Sequence, residues 1–257
     1  MGQAPTSAAI ADARHRRLRV CRSSVAAGLR TVTLRRTTTF WEVLEPSDQD
    51  ALRRAAIHTS LPADEQFLAQ GEETDHLVVL LNGWVKVVAQ SHAGYRALLA
   101  LRGPGELLGE QAGLERRRRS ASLHTATSVE LLHLPARRFH AIAHGNVRVA
   151  GALQQTLSQR LREADLQRTG ITEPVPTRLA ALLLDLAERC GYSEPDGTGR
   201  RIALPLSQDD LAGLILSSRR TVSRVLEQWR GQGWIVTGRQ SLLIRSVDQL
   251  KAQAFGD

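Results

Sequence analysis

The sequence predicts an α+β chain: an antiparallel barrel or sandwich of short strands, then a long helix, then a C-terminal winged helix-turn-helix. Three observations predict it. Short apolar runs punctuated by glycine fill residues 66–134, the texture of strands joined by turns. Ala150, Leu153, Leu157, Leu161 and Ala164 recur at spacings of three and four, one apolar stripe on one helix. Residues 206–245 hold two capped helical patterns followed by two apolar runs around a glycine turn, a helix pair with a hairpin behind it.

The 257 residues suffice for two modest domains. The texture changes divide them into a basic, disordered extension (1–39), a strand-rich domain (40–145), a long helix (146–171) and a C-terminal domain (172–257). No run of about 18 apolar residues occurs, so no membrane helix is expected, and the Arg-rich start lacks the apolar core of a secretory signal. Cys21 and Cys190 are the two cysteines, too few for a disulfide framework or a cysteine-ligated zinc or iron–sulfur centre; cytoplasmic residence is the default. Residues 1–39 carry eight arginines against one aspartate, a local +7 of the chain's +8. The high net charge is therefore a property of the extension, either a basic arm lying on DNA phosphates or a charged tail with nothing to pack.

Order is expected from Phe40-Trp41, with a short helix over Pro46 to Ala56 capped by Ser47. Asn82-Gly83 between Leu77–Leu81 and Trp84–Val88 reads as a hairpin, since both turn residues tolerate positive φ. Ala97–Leu101 and Val129–Leu134 supply further strands. The 150–164 stripe fits either a helix packed on its own domain or a two-chain seam. Pro174 and Pro176 then break the helix, a new helix runs from Thr177 toward Gly191, and Tyr192–Arg201 reads as a polar loop.

The C-terminal pattern carries the chemistry. Ser207-Gln208-Asp209-Asp210 has the form of a capping box. Ser218 caps a second helix that buries Val222, Val225, Leu226 and Trp229 on one face. Its other face presents Arg219, Arg220, Ser223 and Arg224, with Thr221 in the first turn. An apolar side that docks a helix, opposite long donors in its first turns, is what reading a DNA major groove requires. Arginine meets guanine O6 and N7 in bidentate fashion, worth about 1–3 kcal/mol of discrimination. Trp234–Val236 and Leu242–Ile244 flank a turn with Arg239 at its tip, a wing able to touch phosphate. DNA contacts are therefore expected from Ser207, Gln208, Ser218, Arg219, Arg220, Thr221, Ser223, Arg224 and Arg239. Leu216 stands where the turn between such helices wants glycine, so strain is expected there.

These features fall in one order: Gln70-Gly71-Glu72, Asn82-Gly83-Trp84-Val85-Lys86, Arg102–Glu110 (RGPGELLGE) and Ser218–Arg224 (SRRTVSR). From Phe40 to Arg245 the chain resembles the CRP/FNR superfamily of bacterial regulators. The resemblance implies a cyclic-nucleotide-binding β-roll, a long dimerisation helix and a winged helix-turn-helix. It also implies a homodimer, with the 150–164 stripe as its seam, a palindromic double-stranded DNA operator and RNA polymerase as a partner. An effector site is implied at Leu108, Gly109, Glu110, Gln111, Arg119 and Ser120. There the glutamate would accept from a ribose 2′-hydroxyl and the arginine would neutralise a cyclic phosphate.

Three departures bear on that site. Gln111 replaces a usual apolar residue, Arg116–Arg119 offers four guanidiniums for one pocket, and Ala164 and Asp165 stand where the family touches adenine. Cyclic AMP and cyclic GMP are the candidate effectors, and no cofactor or metal is implied with certainty. Haem through His76 or His133 is disfavoured. No phosphate loop, nucleophile elbow or His-Glu-x-x-His pair occurs, so no enzyme is expected. The alternatives are a nucleotide-binding module acting through protein contacts, or a regulator with no effector.

Overall fold

The computed structural model of the chain describes residues 38–256 except 92, 93, 95 and 116. The basic extension 1–39 lies outside the described residues apart from its last two. Thr39 caps helix α1 (Phe40–Val43): its hydroxyl accepts from Glu42 N at 3.4 Å and its own N–H donates to the Glu42 carboxylate at 2.9 Å.

Helix α2 (Pro46–Ala55) corrects the expected cap at Ser47. Pro46 already occupies the first turn, where its missing N–H is no loss, and the Asp48 carboxylate accepts from Glu45 N at 3.3 Å. Asp48 is 3% exposed and receives Arg148 Nε at 2.8 Å, tying α2 to the start of the long helix. The Arg148 hydrogen bond, opposed by burial and helped by Asn146, holds the Asp48 carboxyl at about 2. A folded value below the unfolded one means stability that is present above about pH 4 and lost as the pH falls toward 2. Asp48→Asn should therefore flatten the acid limb, giving a smaller drop in the denaturant midpoint between pH 7 and pH 3 than the native chain shows. An unchanged drop would remove Asp48 from the acid response.

Eight strands make two antiparallel sheets. The first runs β1 (Ile57–Leu61), β8 (Val129–Pro135), β3 (His76–Asn82), β6 (Leu107–Leu108), and the second β2 (Gln66–Leu68), β7 (Ser122–Thr125), β4 (Val85–Gln90), β5 (Arg96–Arg102). Strand β3 shows why its sequence is continuously apolar. Val78 and Leu80 point between the sheets with Val85, Leu123 and Leu131, while Leu77 and Val79 pack outward against Phe40, Leu52 and Phe139. Both faces of the strand are buried.

The Asn82-Gly83 turn forms, with Gly83 at φ +85°, but the expected hairpin does not. β3 pairs with β8 and β6, and β4 with β5 and β7, so the turn carries the chain from one sheet to the other. A Cβ at Gly83 would collide with the Ser128 carbonyl. The 126–129 connection thus fills the space on that side of the turn, and Trp84 O accepts from Ala126 N at 2.7 Å.

Helices α3 (Glu110–Glu115) and α4 (Ala136–Gly145) lead to α5 (Val147–Gly170). Asn146 opens α5 by accepting from Arg148 N at 3.0 Å and Val149 N at 3.3 Å. The face of α5 packed on the β-roll is Val149 and Ala152, with Leu153 of the 150–164 stripe half-buried beside them. On that stripe Leu157 and Leu161 stay 36% and 63% exposed.

After α6 (Val175–Cys190) the segment expected to be a polar loop is a hairpin, β9 (Gly191–Ser193) and β10 (Arg200–Ile202). Its strands are three residues each and mostly polar, so they leave no apolar run to read. They join the wing strands β11 (Ile235–Thr237) and β12 (Leu242–Ile244) in the order β11-β12-β10-β9. Helices α6 and α8 (Arg219–Gly231) pack on this sheet, α7 (Gln208–Leu214) packs against α8 and strand β5, and α9 (Val247–Phe255) closes the chain. Leu179, Leu183, Leu186, Val222, Leu226 and Trp229 form their shared core. Among the described residues no helix is long and apolar enough to cross a membrane.

The turn between α7 and α8 bears out the expected strain. Ser217 N donates to Ala212 O at 2.9 Å and Leu216 N to Gly213 O at 3.1 Å, the bond pair of a Schellman cap. That cap places Leu216 in the left-handed region, at φ +52°. Arg178 of α6 donates to the Ile215 carbonyl and fixes the strained loop from below. A left-handed non-glycine residue costs roughly 1–2 kcal/mol, whereas glycine costs about 0.5–1 kcal/mol more unfolded-chain entropy. Leu216 is 47% exposed, so little burial is lost with its side chain. Leu216→Gly should leave stability unchanged or raise it by up to about 1 kcal/mol, and Leu216→Val should lower it. Denaturant midpoints in the opposite order would refute the strain.

Candidate functional site

Two groups of residues are candidates for function, one in the β-roll and one in the C-terminal domain. In the β-roll, strand β6 delivers Leu108, and Gly109 turns at φ +68° into α3, whose first residue is Glu110. Glu110 is 1% exposed, and a carboxylate buried to that degree demands a cation. The cation is Arg160 of α5, which donates to the Glu110 carboxylate and to the Leu107 carbonyl.

Arg119 is 4% exposed and sits across the cassette. Nε donates to Thr74 Oγ1, Nη1 to Gly109 O and Nη2 to His76 O, each at 2.6 Å. All three acceptors are neutral, and among the described residues no carboxylate lies within ion-pair distance of Arg119. Burial pulls its guanidinium below the ordinary value, with Glu72, Glu110 and Asp75 opposing from farther away. A buried positive charge ringed by neutral oxygens is a receptor for an anion.

Three arginines of the 116–119 run are described, Arg116 lying outside the described residues. Arg117 and Arg118 are 80% and 71% exposed and pair with Glu115 and Glu73, so Arg119 alone of these three points inward. Gln111 and Ser120 are exposed and meet each other at 3.4 Å. Ala164 lies one helical turn beyond Arg160 and is half-buried, while Asp165 is exposed, 3.7 Å from Arg168.

In the C-terminal domain, Ser207 caps α7 through a full box with Asp210, at 2.8 and 3.0 Å. Ser218 accepts from Thr221 N at 3.2 Å and meets the Thr221 hydroxyl at 2.9 Å. Those three hydroxyls are therefore used in building the helix starts. Arg219, Arg220 and Arg224 stand exposed along α8, opposite the buried Val222, Val225, Leu226 and Trp229. Arg219 lies 3.6 Å from Asp209 at the start of α7, and Ser223 donates to Glu227 at 3.1 Å. Gln208 is half-buried at the foot of α7, and Arg239 is exposed at the wing tip.

Comparison with known proteins agrees with both halves. A model of the cyclic nucleotide-binding domain matches residues 58–146, and a model of the Crp-like helix-turn-helix domain matches residues 177–253. A CRP-like cAMP-activated global transcriptional regulator of Mycobacterium tuberculosis is 30% identical over 220 residues, 84% of this chain and 96% of that protein. The chain belongs to the CRP/FNR family of transcription regulators. A cyclic AMP receptor protein of Thermus thermophilus is 32% identical over 214 residues, 83% of this chain and 95% of that one. The crystal structure of a CRP/FNR family transcriptional regulator from Thermus thermophilus superposes with a TM-score of 0.65 at 28% identity, over 77% of this chain and 98% of that chain.

In this CRP/FNR regulator the candidate site includes two residues, Arg160 and Thr74, that the sequence did not announce. Arg160 could have been found as a cation set between Leu157 and Leu161 on an otherwise amphipathic helix, since a buried Glu110 requires one. Thr74 carried no signal, because its role comes from the loop before β3 folding back under Arg119.

Proposed function

We propose that this regulator binds a 3′,5′-cyclic nucleotide between α3 and α5 and, as a cytoplasmic homodimer, reads a palindromic operator with α8. Arg119 carries the reading, as a buried guanidinium with neutral partners only. The cyclic phosphate would take its remaining N–H donors and the Gly109–Gln111 backbone, with Ser120 at the rim, and Leu108 would wall the pocket. The Glu110 carboxylate, held by Arg160, would accept from the ribose 2′-hydroxyl. Ala164 offers the base no hydroxyl, so selectivity between cyclic AMP and cyclic GMP would rest on shape and on Asp165. Leu157 and Leu161, apolar and uncovered on α5, support the two-chain seam, and RNA polymerase is the partner such a DNA-bound dimer would present to.

The DNA half is tested by two variants against a palindromic duplex and a random one. Arg219→Ala should lose about 1–3 kcal/mol of binding to the preferred duplex and relax base choice. Arg239→Ala should weaken both duplexes alike and lower the salt slope by about 1. If the native chain binds no sequence better than random DNA, the operator reading fails.

A further inference from the structure

Strand β5 ends in Arg102, and the tight Gly103-Pro104-Gly105 turn returns the chain to Glu106. The Glu106 carboxylate is a junction. Oε1 accepts from Gly103 N at 2.9 Å and from Arg189 Nη2 of α6 at 3.2 Å, and Oε2 accepts from Arg102 Nη1 at 3.1 Å. Arg102 also donates to Glu163 of α5 at 3.0 Å. Arg189 continues outward to Asp185 at 3.4 Å and to Leu101 O at 3.2 Å, and it stacks over Trp84 at 5.2 Å. The result is an alternating series, Glu163, Arg102, Glu106, Arg189, Asp185, that starts on the long helix and ends inside the DNA-reading domain.

The middle of the series is sheltered. The Arg102 and Glu106 side chains are 14% and 17% exposed. Burial would raise the Glu163 carboxyl, yet Arg102 and Gln159 hold it below its ordinary value. In such surroundings each charge depends on its neighbours, and removing one leaves the next uncompensated.

The same series touches the effector pocket at two places. Glu163 is one turn along α5 from Arg160, and Leu107, whose carbonyl Arg160 holds, directly follows Glu106. A ligand hydroxyl bound to Glu110 would share that carboxylate with Arg160, and Arg160 joins the helix that carries Glu163 to the backbone beside Glu106.

We infer that Glu106 is the coupling residue through which occupancy of the Glu110–Arg160 pocket is felt by the DNA-reading domain. The inference rests on the proposed cyclic-nucleotide reading for its ligand, but the junction itself does not. Glu106→Gln keeps the shape and the acceptor for Gly103 N while removing the charge that Arg102 and Arg189 share.

The experiment uses the full chain, native, Glu106→Gln and Glu163→Gln. It measures cyclic AMP and cyclic GMP affinity, affinity for a palindromic duplex with and without nucleotide, and amide hydrogen exchange over 175–231. In Glu106→Gln nucleotide affinity should stay within about threefold, while the gain in DNA affinity on adding nucleotide falls by about fivefold or more, the lower end of usual coupling strengths. A merely structural role would lower the melting temperature and leave that gain intact, and a gain within about twofold of native would overturn the inference. Should Glu106→Gln not fold, Glu163→Gln takes its place on the same measure. Should the native chain show no response to either nucleotide, the effector reading fails and hydrogen exchange decides the junction. Glu163→Gln, altered on α5, should then speed exchange in α6 and α8, and unchanged exchange there would overturn it.

Discussion

Arg119→Ala should lower cyclic-nucleotide affinity by roughly 30-fold or more, the effect of removing one partner from a buried charged contact at about 2–5 kcal/mol. The size follows from its isolation. Arg119 holds its place through Thr74, Gly109 and His76, neutral groups that cannot themselves neutralise a phosphate. Arg119→Lys separates charge from geometry: an ammonium keeps the charge and loses the planar fork, so intermediate affinity is expected. Arg118→Ala, which alters a side chain 71% exposed and paired with Glu73, should leave binding within about twofold, as surface pairs do. Calorimetric titration of the three variants checks the order. Equal affinity for Arg119→Ala and the native chain would move the ligand to another site.

Leu157→Glu combined with Leu161→Glu should turn a dimer into a monomer and cut affinity for a two-half-site duplex by about 100-fold or more. Two-point attachment gains about 10²–10⁴ over one contact, and that gain disappears with the second chain. Each leucine buried at a seam contributes about 1.5–3 kcal/mol, and four glutamates facing one another would reverse the sign. Both side chains are already partly or largely exposed in the single chain, so the monomer should melt near the native temperature at low concentration. Light scattering and duplex titration together read the result. A double variant that remains dimeric places the seam elsewhere.

How much of this was legible in the sequence depended on whether the signal was local. The α8 face was legible because a cap at Ser218 and four buried positions at helical spacing fix which side Arg219, Arg220 and Arg224 take. Leu216 was legible because a Schellman cap has one left-handed position and the sequence shows what fills it. The Asn82-Gly83 turn was half legible: its φ was set locally, but whether its flanking strands pair depended on the 126–129 segment some forty residues away. The short β9 and β10 strands were illegible for the opposite reason, since Arg200 and Arg201 are held by carbonyls and by Glu194 and not by apolar burial. Apart from the Gly109 carbonyl, the partners of Glu110 and Arg119 come from α5, β3 and the loop before it, and no spacing rule connects those positions.

Helix α7 has a second consequence for the β-roll. Strand β5 is the outer strand of its sheet, and α7 lies so close that a Cβ at Gly213 would stand 2.9 Å from Leu98 N and O. Leu98 and Leu101 bury themselves in the core of the C-terminal domain, and Lys86 of the adjacent strand binds Asp210 at 2.9 Å. The reading domain is thus the cover that an open sheet edge needs. A β-roll produced without it would expose two leucines on a strand with one open edge, a template for sheet-to-sheet aggregation. The two halves of the chain are therefore bound together by solubility.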